Sequence, residues 1–311
     1  MNYTRATAAF VNYCRASGQT AATVENHERN LRLFSEAVAL PDADGEITVA
    51  HIDEYKSLLH LRGLKQSTVR AYLESLCLFF AWATERKYCA ENPCTPSAVK
   101  TKVPPPAPYN HLLTREEMAA LLSPVCPKGC TKRLFNRNHA IVTVLLTSGL
   151  RNSELRELRL CDLIPSENRL VVRCGKGGKT RSAPYPPAAQ EAVAAWLSDP
   201  LRPSTLPSDA ILFGKGTDTA SWQMFSRTEL STMVERFTKT VLGKESGIRT
   251  HALRHANASY LWDSGMRMED IRDLLGHSDV KVSQMYISRL RPQTATDSAA
   301  NAFAALSRAA V

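Results

Sequence analysis

The side chains best placed to do chemistry crowd a short C-terminal stretch. It reads His251-Ala252-Leu253-Arg254-His255, then Leu274-Leu275-Gly276-His277, then Tyr286. A phenol is a poor nucleophile at neutral pH, because its proton ordinarily leaves near pH ~10. It becomes useful when cations stabilise the charge building on its target and a neighbour takes its proton. The clustered histidines and arginines could do both. Their target would be an anion, and a phosphodiester is the natural candidate.

The elements that must position these groups follow from local pattern. Residues 1–90 read as four amphipathic helices, with apolar positions at helical spacing through Ala8, Phe10, Val11 and Cys14 and again through Leu31, Leu33, Phe34 and Val38. Thr20 is a plausible N-cap for the second helix, a third spans about 49–61, and Ser67 or Thr68 would cap a fourth. Four such helices with short joints make a small bundle. Six prolines, at 93, 96, 104, 105, 106 and 108, favour extended chain, which places an interdomain linker at 91–112. Beyond it, Thr114 with Glu117 has the capping-box pattern, and the apolar run Ala140–Leu146 reads as a buried helix ending at Ser148-Gly149. Arg151 follows that turn directly, and Ser153-Glu154-Leu155 opens another helix. Two strands, Leu170–Val172 and Ser182–Tyr185, flank the loop Gly175-Lys176-Gly177-Gly178-Lys179, which fits a hairpin. Helices are expected near 187–198, 219–241, 251–264 and 267–275, with an Ala-rich tail at 293–309.

Composition narrows the class. The 311 residues suffice for about two domains, and 44% hydrophobic residues suffice for ordinary cores. No run approaches the ~18 apolar residues of a membrane span, and the N-terminus lacks the apolar core of a secretory signal. The expected location is the cytoplasm, where the eight cysteines would be reduced thiols. The pairs Cys126/Cys130 and Cys89/Cys94 lack the two-residue spacing of a zinc knuckle. Charge is uneven: residues 1–95 carry 10 Lys/Arg against 11 Asp/Glu, and residues 96–311 carry 29 against 19. A basic C-terminal part suits either a polyanionic partner or a solvated basic surface.

Four motifs together resemble one family. Ser148-Gly149-Leu150-Arg151-Asn152-Ser153-Glu154-Leu155 is similar to the first signature of the tyrosine recombinases, or phage integrase family. His251-Ala252-Leu253-Arg254 resembles its His-x-x-Arg box, Leu275-Gly276-His277 its Leu-Gly-His motif, and Tyr286 the nucleophile that follows; the Gly-Lys-Gly hairpin falls between them in the family's order. The resemblance implies a mainly α fold with a small β-sheet: an N-terminal four-helix core-binding (SAM-like) bundle at 1–90 and an α+β catalytic domain at 113–292, joined by the linker, with a tail at 293–311 making contacts between protomers.

The implied activity is site-specific DNA strand breakage and rejoining through a 3′-phosphotyrosyl intermediate. Tyr286 would attack phosphorus while Arg151 and Arg254 clamp the non-bridging oxygens and His277 donates to the same oxygens. His251 would assist removal of the phenol proton. Lys176 would protonate the leaving 5′-oxygen, with Lys179 competing for that place; Lys179 and Arg181 otherwise read as contacts to the DNA backbone, and His255 as structural. No metal, ATP or other cofactor is implied. The partners would be double-stranded DNA with paired recombination sites and a homotetramer on it, alone or with a related recombinase, and no membrane. The chain starts almost at the bundle, leaving no room for the arm-binding domain of larger phage integrases, and so resembles the simpler Xer- and transposon-type enzymes. The segment 281–284 lacks the paired Thr common before the nucleophile. A type IB topoisomerase-like enzyme and a catalytically silent DNA-binding regulator remain as rival readings.

Overall fold

The computed structural model describes residues 1–40, 45–102, 113–173, 180–245 and 247–276. Lys176, Lys179, His277, Tyr286, Cys174 and the tail at 293–311 lie outside the described residues, as does most of the Pro-rich run. The architecture is mainly helical with two small antiparallel sheets. The chain divides into two compact units, Met1–Pro106 and Ala107–Val311.

The first unit is a bundle of α1 (Tyr3–Ala16), α2 (Ala21–Ala37), α3 (Val49–Leu61) and α4 (Gln66–Glu85). Its core is aromatic: Phe10, Phe34, Tyr55, Phe79 and Phe80 are buried, and most meet edge to face, with Phe34 5.1 Å from Tyr55 and Phe79 4.9 Å from Phe80. Such pairs add about 0.5–1.5 kcal/mol to the burial itself. Thr20 caps α2 through Thr23 N–H, as its type predicts. The fourth helix starts at Gln66, just before the expected caps, with Lys65 at the N-cap and no side-chain cap bond. The segment expected to run extended also contains a helix, α5 (Pro96–Val99). Thr95 accepts from Ala98 N–H and Pro96 takes the first turn, where its missing N–H costs nothing, and Ala98 is buried in the bundle's core.

The second unit is built on α7 (Phe135–Ser148), apolar on every side from Ala140 to Leu146 and therefore central. Around it pack α6 (Arg115–Leu122), α9 (Pro187–Leu197), α10 (Arg227–Leu242) and α11 (Thr250–Asp263). The Thr114/Glu117 capping box forms as expected, with both reciprocal bonds in place. One sheet joins β1 (Leu163–Ile164), β2 (Arg169–Val172) and β3 (Arg181–Pro184), with Val172 opposite Arg181 and Arg169 opposite Pro184. The helix expected over 219–241 begins instead at Arg227. Ser226 and Glu229 form a reciprocal cap there, at 3.2 and 2.7 Å. Upstream, Asp218 folds back on Ser221 N–H, and β5 (Gln223–Met224) pairs with β4 (Gly214–Lys215). A local Asx turn thus outcompetes helix in that stretch.

Two short helices also belong to the described part of the unit: α8 (Asn152–Glu157), starting from the turn after α7, and α12 (Met268–Leu275), packed on α11. Gly149 closes α7 at φ 62°, and a Cβ there would lie 2.5 Å from Leu275 Cδ2 and 2.8 Å from Asn257 Oδ1. Asn257 itself donates to the carbonyls of Leu146 and Thr147, tying α11 to the end of α7. Gly149→Ala should therefore destabilise this unit by about 2–5 kcal/mol, from left-handed strain plus overpacking. Gly243→Ala, with a φ of 62° and nothing within 4 Å, should lose only the strain, about 1–2 kcal/mol. Urea midpoints of the two variants test this; equal losses would remove the steric argument.

Candidate active site

The turn after α7, the start of α8, strand β3 and the end of α12 converge on one carboxylate. Glu154 is 1% exposed. Its Oε1 accepts from Arg151 Nη1 at 2.7 Å; its Oε2 accepts from Arg151 N–H at 2.8 Å and from Arg181 Nη2 at 2.7 Å. Arg254 Nη1 stands 4.0 Å from the same Oε2. Arg151 and Glu154 meet because three residues apart is one helical turn. Arg181 and Arg254 arrive from β3 and α11.

The same three guanidinium groups take the carboxyl end of α12, one carbonyl each. Arg181 Nη1 donates to Leu274 O at 2.6 Å, Arg254 Nη2 to Leu275 O at 2.6 Å, and Arg151 Nη2 to Gly276 O at 2.8 Å. These carbonyls have no partner inside the helix, and the helix dipole makes that end negative, so cations suit it. Arg254 Nη1 also donates to Gly149 O at 2.5 Å. Gly276 ends α12 at φ 63°, and a Cβ there would lie 2.8 Å from Arg181 Cδ. The close seat of Arg181 thus requires the glycine that precedes His277.

Burial alone would raise the Glu154 pKa, but Arg181 first and then Arg151 outweigh it and hold the carboxyl below its ordinary range. His251, on the first turn of α11, is held below the ordinary imidazole value by burial first and then by the charges of Arg254, Arg151 and Arg227. Its ring meets the buried His255 edge to face at 4.5 Å. Of the six residues singled out by sequence, the structure thus gathers Arg151, His251 and Arg254. Lys176, His277 and Tyr286 lie outside the described residues, although His277 follows Gly276 directly in the chain.

Two expectations shift. Arg181, read as a DNA-backbone contact, is turned inward at 12% exposure onto Glu154 and Leu274. Glu154 was read only as opening a helix, yet it is the hub; the signal was the Arg-x-x-Glu spacing after the glycine turn. A cavity of about 760 Å³ beside Arg159, Arg173 and Trp222 borders Glu154 but not Arg151, His251 or Arg254. Among the described residues, no group of three His, Cys, Asp or Glu side chains is placed to hold a metal ion, and no helix is long and apolar enough to cross a membrane.

Removing one partner of a buried ion pair costs about 3–5 kcal/mol, and Glu154→Gln should destabilise the second unit on that scale. Because the folded carboxyl titrates below its unfolded value, its stabilisation is complete above the unfolded pKa of 4.5 and is lost as pH falls through the folded value. Urea unfolding across that acid range should show a flatter pH dependence in the variant than in the parent; parallel curves would contradict the assignment.

Comparison with known proteins identifies the chain's family and fold. Residues 111–291 match the Phage integrase family. The tyrosine recombinase XerD of Caulobacter vibrioides is 31% identical over 255 residues, covering 79% of this chain and 77% of that protein. The tyrosine recombinase XerC of Pseudomonas syringae pv. tomato is 28% identical over 244 residues, covering 78% and 76%. Among solved structures, the Tn1549 transposon integrase in complex with transposon right end DNA superposes with a TM-score of 0.70 at 18% identity, over 100% of both chains. A lambda integrase dimer bound to a core site gives 0.66 at 18% identity, over 91% and 94%. At that identity the structural likeness speaks for the fold alone.

Proposed function

The chain belongs to the phage integrase family, and from that premise we propose that it is a site-specific DNA recombinase acting through a 3′-phosphotyrosyl intermediate. The observation that carries the reading is the convergence of Arg151 and Arg254 on Glu154 and on the α12 end that leads into His277. The two guanidinium charges of Arg151 and Arg254 against the one carboxylate of Glu154 leave a positive seat, which a phosphodiester monoanion complements.

In this proposal Tyr286 attacks the scissile phosphorus and the 5′-oxygen leaves. The phenol proton passes to His251, whose depressed pKa keeps it neutral and able to accept at pH 7. Lys176 gives a proton to the departing 5′-oxygen. Arg151, 28% exposed, offers its remaining N–H donors to a non-bridging oxygen. Arg254, buried beside the Glu154 carboxylate, would hold the second oxygen, and His277 would complete the set. The phosphotyrosine retains the diester's energy, so a free 5′-hydroxyl can reverse the step and reseal a strand.

Four copies of the chain would assemble on two paired sites, through the tail at 293–311, whose Ala299, Ala302, Phe303 and Leu306 form an apolar stripe at helical spacing. The place of action would be the cytoplasm, with the DNA. The bundle at 1–90 and the catalytic domain at 113–292 would both contact the duplex.

The central test uses a nicked duplex carrying the sequence that the wild-type protein selects from a randomised library. Wild type should form an adduct that survives denaturing electrophoresis, Tyr286→Phe should form none while still binding, and Arg151→Ala should slow cleavage by about 10²–10³-fold. An adduct with Tyr286→Phe would mean that another residue attacks. Relaxation of supercoils with no paired-site product would point to a topoisomerase. Deleting 293–311 should leave single-site binding near wild type and abolish recombination of two sites; full-rate recombination by the truncated chain would remove the tail from the assembly.

A further inference from the structure

Arg181 stands two residues after a lysine-bearing loop, where a basic side chain is most simply a phosphate contact. The structure gives it other work. One arm of its guanidinium binds Glu154 at 2.7 Å and the other binds Leu274 O at 2.6 Å. Its side chain is 12% exposed, less than half the value for Arg151. Its Cδ lies against Gly276, where a Cβ would sit 2.8 Å away. We infer that Arg181 is a positioning residue that splints the carboxyl end of α12 to Glu154, and so sets the orientation of Arg151 and of the backbone entering His277. This role deepens the recombinase reading and rests on it.

Glu154 orients Arg151 through both its main-chain N–H and its Nη1, so anything that moves the carboxylate moves the guanidinium. Arg181 is the partner of that carboxylate contributed by strand β3, and β3 emerges from the loop that carries Lys176. The same side chain therefore ties the hairpin, the Arg151 turn and the α12 end into one frame. A planar fork holds its two donors in fixed, separate directions toward the two targets, whereas a lysine presents a single ammonium on a flexible stem. Reaction rates are sensitive to such support: a displacement of about 1 Å at the reacting groups can cost about 10²-fold. Binding to the rest of the duplex does not pass through this residue.

The test compares wild type, Arg181→Met and Arg181→Lys on the selected nicked duplex, under single-turnover conditions and over a range of salt. Arg181→Met should cleave at least about 10²-fold more slowly, with duplex affinity and the slope of affinity against salt unchanged. Arg181→Lys should recover part of the rate. A 5′-thio leaving group, which needs no proton, should not restore Arg181→Met, because the lost function is placement and not protonation. The role is overturned if Arg181→Met cleaves within a few-fold of wild type. A salt slope reduced by about one, the mark of a lost phosphate contact, overturns it too. Full rescue by the 5′-thio substrate would assign the residue to the lysine's proton transfer instead, and also overturns it. If Arg181→Met does not fold, Arg181→Lys decides: wild-type cleavage by that variant would show the fork to be unnecessary. Adduct formation by wild type separates the two levels, since an inert wild type overturns the recombinase reading and this role together, whereas an active wild type with an indifferent Arg181 overturns the role alone.

Discussion

Glu154 keeps a negative charge at 1% exposure, and three arginines from three separate elements answer it. Each of these groups would be costly to bury or crowd alone. An ionised carboxylate away from water costs several kcal/mol unless it is paired and hydrogen-bonded. Three guanidinium groups within reach of one another repel. The carboxylate lowers that repulsion, and the negative end of α12 lowers it further by offering one carbonyl to each arginine. What results is a cationic cluster stable enough to persist, with positive charge to spare.

This balance explains why backbone approaches so closely here. Arg254 reaches Gly149 O and Leu275 O at once, which requires the end of α7 to lie against the end of α12. Glycine at 149 allows that contact, and glycine at 276 leaves space for the stem of Arg181. The glycines of the two signature motifs are thus two sides of one packing problem. The motif arginines draw the helix ends together, and the motif glycines let them meet.

The sequence made much of this legible. The helices of the bundle, the Thr114/Glu117 cap, the Gly149 terminus and the β2–β3 pair follow from local chemistry, because periodicity and capping act within a few residues. Arg151, His251 and Arg254 were found because their motifs stand in a recognisable order. Other features had no local signal. Strands β1, β4 and β5 are two residues long, too short to show alternation. Helix α5 starts in a stretch whose prolines favour extended chain, and it is stabilised by packing on α3 and α4. The inward turn of Arg181 depends on Glu154 and Leu274, 27 and 93 residues away, and no window of sequence contains all three.

That reach along the chain has a consequence for how the protein comes into being. The bonds that define the cluster span 125 residues from Arg151 to Gly276, 105 from Gly149 to Arg254 and 93 from Arg181 to Leu274. Contacts between such distant positions close long loops and must overcome that entropy before they are rewarded. They can all be present only after the segment through Gly276 has left the ribosome. A nascent or prematurely ended polypeptide can therefore own a folded bundle and a well-packed α7 without owning an assembled cluster of arginines. The arginine cluster is in this way a late product of the topology, assembled only when both ends of its long-range bonds are present.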